Sequence, residues 1–162
     1  MILYHSSPKK FDKFNLSKIG HTTNRLKYGC GFYFSANLSD VINHAENNIL
    51  GDYYVYEVKV LNSDSIFDYL ESINESFLRR ILKKLNEDDE LELWREYEEY
   101  GLCYNEVYHY LVGAYNAEKA SEIFNDVGIT GIQITDSGWY NSIYTIFSPD
   151  NLKILNVEKY MK

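Results

Sequence analysis

The sequence predicts a mixed α+β fold in a single domain spanning residues 1–162. Three observations carry that reading. Strand-like apolar runs stand at both ends, helical periodicity fills the middle at about 68–116, and the two do not alternate regularly as in a doubly wound fold. A length of 162 residues suits one hydrophobic core and is short for two ordinary domains.

In chain order, Met1-Ile2-Leu3-Tyr4-His5 reads as a first strand that stops at Ser6-Ser7-Pro8. Phe11 and Phe14 follow, spaced to cover the edge of a core, and Gly20 to Lys27 is a polar loop. Tyr28-Gly29-Cys30-Gly31-Phe32-Tyr33-Phe34-Ser35 sets two glycines before an aromatic strand, which predicts a tight backbone approach. Asn37-Leu38-Ser39-Asp40 offers a helix N-cap, with Val41, Ile42 and Ala45 behind it and Gly51 as the stop. Tyr53 to Val60 is the clearest strand, with Tyr54, Tyr56, Val58 and Val60 on one face and Glu57 and Lys59 on the other.

The middle holds three amphipathic stripes at three- and four-residue spacing, read as core-facing. They are Leu78, Ile81, Leu82 and Leu85; Leu91, Trp94 and Tyr97; and Tyr104, Val107, Tyr108, Leu111 and Tyr115. Ala120, Ile123, Phe124 and Val127 form one more helix closed by Gly128. Strands return at Ile129 to Thr135 and Ile143 to Phe147 around an Asp136-Ser137-Gly138 turn, and the last strand is Leu152 to Val157.

Composition narrows the function classes. Forty-five per cent hydrophobic residues and only two prolines exclude disorder and fibrous repeats. No apolar run is long enough to span a bilayer, and the N-terminus has no basic stretch followed by an apolar one, so the expected location is the cytoplasm. Cys30 and Cys103 lack zinc-site spacing and read as free thiols; no metal is expected. The net charge of -8 is concentrated, because Glu87 to Glu99 holds eight acids against Arg95 alone. The remaining surface is near neutral, with no basic stripe for a long nucleic acid. The acidic run reads as the solvated face of an inserted helix or, functionally, as a docking surface for a basic protein.

Taken alone, His5 after a strand reads as readily as a hydrogen-bonded structural residue. The order of the blocks adds to this. Leu3-Tyr4-His5-Ser6-Ser7, the glycine-aromatic segment ending in Tyr33-Phe34-Ser35, Gly128-Ile129-Thr130-Gly131-Ile132, and Tyr144 through Phe147 before Pro149 resemble the ADP-ribosyltransferases of the diphtheria-toxin and poly(ADP-ribose) polymerase type. The resemblance spans nearly the whole chain and is greatest to the small phage-encoded anti-CRISPR ADP-ribosyltransferases. It implies a split pair of antiparallel sheets with flanking helices and a helical insert, NAD bound as a substrate in the cleft, and transfer of ADP-ribose to a protein.

Residue roles carry over by the same resemblance. His5 would hold the adenosine ribose hydroxyls, Ser6 would grip the nicotinamide amide through its backbone, and Ser7 would support that amide. Ser6 stands where the family has glycine, which serine can replace only if its φ/ψ is tolerable. Gly31, Tyr33 and Phe34 match the family's Gly-x-Gly-x-Tyr-Phe block together with Gly29. Tyr33 and His44, eleven residues apart, are the candidates to sandwich the nicotinamide ring. Arg25, with Lys27 beside it, is the candidate for the pyrophosphate, against the alternative of an ordinary solvated charge. The family's glutamate has no counterpart in Asn141 to Phe147; Asp136 is the nearest acid, and it reads either as the catalytic carboxylate or as a turn residue. Competing functions are a mono-ADP-ribosylating toxin, a nucleic-acid modifier, and a catalytically silent module that binds NAD or a protein.

Overall fold

The computed structural model describes residues 1–19, 29–135 and 142–162. The Gly20 to Lys27 loop, with Arg25 and Lys27, and the Asp136-Ser137-Gly138 turn lie outside the described residues. The elements are β1 (Ile2–Ser7), β2 (Phe32–Ser35), α1 (Leu38–Asn48), β3 (Tyr53–Val60), β4 (Ile66–Asp68), α2 (Glu75–Leu82), α3 (Glu87–Tyr100), α4 (Tyr104–Ala114), α5 (Ala117–Asp126), β5 (Gly131–Thr135), β6 (Ser142–Ile146) and β7 (Leu152–Tyr160). Among the described residues the strands form one sheet in the order β4-β5-β6-β2-β1-β3-β7.

The fold is α+β, and its sheet is nearly split. β1 runs beside β3 from Ile2 opposite Lys59 to Ser7 opposite Tyr54, whereas its register with β2 is confined to Tyr4 opposite Ser35. Two halves, β4-β5-β6-β2 and β1-β3-β7, are therefore joined in the strand ladder at one residue pair. The expectation of purely antiparallel strands is corrected, since β4 runs parallel to β5. β4 has only three residues and follows directly on a 3₁₀ turn at Ser63–Ser65, too short a run to show a period of two.

Strand alternation divides the side chains between two faces. Leu3, Phe32, Phe34, Tyr56, Val58, Val60, Tyr144 and Ile146 bury one face under Phe14. On the other face, Tyr4, Tyr53 and Val55 pack under Val41 and Ala45 of α1. Further along that face Ile132 joins Ile129 and Phe147 beneath α2, α4 and α5, so the helical lobe extends beyond the expected insert through Asp126. α1 is capped by Asn37, whose Oδ1 accepts from the Ser39 amide, and its last carbonyls are held by Lys162 Nζ. No described helix is long and apolar enough to cross a membrane.

The stripe expected at Leu91, Trp94 and Tyr97 is corrected. Leu91 is 69% exposed, and Leu93 is the residue of α3 that is fully buried. Part of the acidic run turns inward as well. The Tyr115 hydroxyl donates to Asp89 Oδ2 at 2.9 Å and the Tyr110 hydroxyl to Glu92 Oε2 at 3.0 Å, so tyrosines of the α4 end hold α3 by its acids. Burial, and after it the neighbouring carboxylates, hold the Tyr110 phenol protonated well beyond its usual range. Arg79 stacks at 4.4 Å over Trp94, which gives this arginine a structural place in the helical lobe.

Candidate functional site

Where the two half-sheets touch, a side chain bridges them. His5 Nδ1 lies 2.8 Å from the Tyr33 carbonyl, and because a carbonyl only accepts, Nδ1 carries the proton. The imidazole is surrounded by the rings of Phe14 at 5.4 Å, Phe34 at 5.6 Å, and Phe11 and Tyr56 at 6.1 Å. Desolvation in this apolar setting pushes the His5 pKa down, outweighing the carbonyl's opposite pull, and the nearby His44 lowers it further. His5 is therefore neutral near pH 7, with Nε2 left as an acceptor.

Tyr33 is fixed from the other side. Its carbonyl holds His5, while its hydroxyl donates at 2.6 Å to the carbonyl of Gly29 in the turn that precedes β2. Its side chain shares the face of Thr145, opposite it on β6, and of Ser35. His5, Ser7 and the buried Phe34 lie on the opposite face, with Leu3. The candidates thus divide between the two faces of the sheet. The two sets are joined by the His5–Tyr33 hydrogen bond.

The remaining candidates lie on or beside β1, β2 and α1. Ser6 is half-buried on the Tyr33 face, and the Ser7 hydroxyl accepts at 3.2 Å from the Lys9 amide to close the end of β1. Gly31 sits hard against β6, where a Cβ would come within 2.7 Å of the Ile146 carbonyl oxygen, so the strand approach requires glycine there. His44 stands on the outer flank of α1, more than a third exposed, with Asn48 Nδ2 at 3.3 Å from its Nδ1. Desolvation lowers its pKa too. Neither of the two grooves described, about 380 Å³ beside Phe14 and Leu152 and about 370 Å³ beside Asn62 and Asn125, includes His5, Tyr33 or His44.

β6 contains no acid, as the sequence indicates. Sequence reasoning did not find Asp40, one turn before His44 on α1. Its Oδ1 accepts from Asn37 Nδ2 at 3.4 Å, the Asn37 amide donates to the Ser35 hydroxyl, and Asp40 Oδ2 is buried without a partner. Nothing in a helix N-cap sequence separates such a carboxylate from an ordinary first-turn acid. Tyr108 was read only as part of an apolar stripe, yet its hydroxyl reaches the Cys30 amide at 2.9 Å. A large buried tyrosine needs a partner for its hydroxyl, and that need was the available signal.

No family model matches the chain, and no curated protein matches it in sequence. A solved structure described as the crystal structure of an anti-CRISPR protein is similar over 99% of this chain and 95% of its own, at 13% identity and a TM-score of 0.42. A likeness that distant bears on neither the fold nor the function of this chain. The ADP-ribosyltransferase resemblance accordingly stands on the sequence blocks alone.

Proposed function

We propose that the chain is an NAD-dependent ADP-ribosyltransferase acting on a protein. The observation that carries the reading is the His5–Tyr33 clasp at the only junction of the half-sheets described. The two residues to which the resemblance gives contacts with one NAD molecule are directly bonded, and a neutral imidazole with a free-electron-pair nitrogen suits a ribose hydroxyl, which donates. In this reading Tyr33 and His44 hold the nicotinamide ring, and Ser6 and Ser7 its amide. Gly31 and Phe34 shape the strand, and Arg25 meets the pyrophosphate.

The reaction breaks the bond between the nicotinamide nitrogen and ribose C1′. Nicotinamide leaves with the bonding electron pair, an acceptor side chain of the target bonds to C1′, and that acceptor loses a proton. Positive charge builds on the ribose as the bond stretches, and a fixed carboxylate stabilises it. Asp136 is assigned that role. The first candidate for the target is a component of a CRISPR defence system, following the sequence likeness to phage-encoded anti-CRISPR enzymes, and the working place of the protein would then be the host cytoplasm.

The test is incubation with NAD and bacterial lysates that contain such systems. Nicotinamide should be released, and intact mass spectrometry should find a protein heavier by one ADP-ribose unit. Folded protein that releases no nicotinamide in any of these lysates would leave a silent NAD- or protein-binding module as the function.

A further inference from the structure

The turn before β2 is held from the helical lobe. Gly29 has φ +95°, and a Cβ there would come within 3.0 Å of the Tyr108 hydroxyl oxygen. The next amide, of Cys30, donates to that oxygen at 2.9 Å. The hydroxyl is anchored behind by the Ala117 carbonyl at 3.1 Å and by the buried Ser121 hydroxyl at 2.7 Å, both on α5. On its forward side the same turn offers the Gly29 carbonyl to the Tyr33 hydroxyl. A continuous path thus runs from α5 through Tyr108 and the Gly29–Cys30 turn to the Tyr33 ring.

We propose that Tyr108 is a positioning residue for the NAD site: its hydroxyl latches the Gly29–Cys30 turn to the α4/α5 elbow and so fixes the Tyr33 ring against which nicotinamide would lie. This inference rests on the NAD reading above. Tyr108 is nearly fully buried and touches no ligand in this account; it acts through the turn. Its ring is seated independently of its hydroxyl, stacked on Phe147 at 5.8 Å with Phe124 edge-on at 5.3 Å. Removing the oxygen therefore unlatches the turn and leaves the core filled. Burial also keeps the phenol protonated, so the latch does not titrate near neutrality.

The test is calorimetric NAD binding by the full chain and by Tyr108→Phe, Tyr33→Phe and the double variant, with melting temperatures alongside. Tyr108→Phe should fold but melt below the parent, since the Cys30 amide, the Ala117 carbonyl and the buried Ser121 hydroxyl lose a partner, and should bind NAD about tenfold more weakly, the scale of one lost orienting hydrogen bond. Tyr33→Phe cuts the same path at its other end, so the double variant should be no weaker than the worse single one. A merely structural tyrosine would instead give losses that multiply. The latch is overturned if parent and Tyr108→Phe bind NAD equally, or if the two losses multiply. Should Tyr108→Phe fail to fold, Ser121→Ala removes one anchor from behind and is held to the same criteria. A parent protein that binds no NAD overturns the NAD reading as well as this assignment, a result that cannot be confused with failure of the latch alone.

Discussion

His5 is kept neutral by burial among the rings around it, against the opposite pull of the Tyr33 carbonyl that accepts from its Nδ1. Unfolded, it takes up a second proton near the ordinary histidine value of 6.5; folded, it resists until a lower pH. The unfolded chain therefore binds more protons below that value, and stability, complete above it, falls as the pH drops. His44 shifts the same way and adds to the effect. Thermal denaturation from about pH 8 to about pH 5 should show the melting temperature falling below the histidine range, with a shallower fall in His5→Gln. Asp136 calls for a different measurement, because its proposed effect is confined to the bond-breaking step. Asp136→Asn should leave NAD affinity nearly intact while slowing nicotinamide release by roughly 100-fold or more, and unaltered turnover would return Asp136 to the role of a turn residue. The pairing of His5 with Tyr33 was legible through the family resemblance of their blocks, and the structure bonds the two. Tyr108 and Asp40 were not legible, since each sits in an element whose local pattern is fully explained without it.

At the scale of the element, α3 shows where pattern reading stops. Its sequence offers Leu91, Trp94 and Tyr97 at helical spacing as well as Leu93, Trp94 and Tyr97, and periodicity alone does not choose between them. The tyrosines of the α4 end choose. By gripping Asp89 and Glu92 they rotate the helix until Leu93 enters the core and Leu91 faces outward. Leu93→Ala should accordingly cost about 2 to 5 kcal/mol in chemical denaturation, whereas Leu91→Ala should fall within about 0.5 kcal/mol of the parent. The reverse ranking would contradict this orientation. β3, α1, α4 and α5 were legible because each has a dense apolar face; in α1 a cap agrees with it, Asn37 standing where the sequence puts it. β4 was missed because a three-residue parallel strand is specified by its partner β5 and carries little local signal.

Over the whole molecule, two half-sheets pair at Tyr4 and Ser35, share one core on one face and carry separate helices on the other. The α+β class was evident from the order of strands and helices, but the narrowness of this junction depends on long-range register that no local pattern records. The functional account depends on that junction, since His5 and Tyr33 are on different strands and different faces and are bonded across it. Calorimetric titration of NAD into the parent protein and into a folded Tyr33→Ala variant is the most direct test. The account predicts saturable binding by the parent and a loss of at least about tenfold in the variant, the ring contact being gone. No binding by the parent, or equal binding by the two, would contradict it.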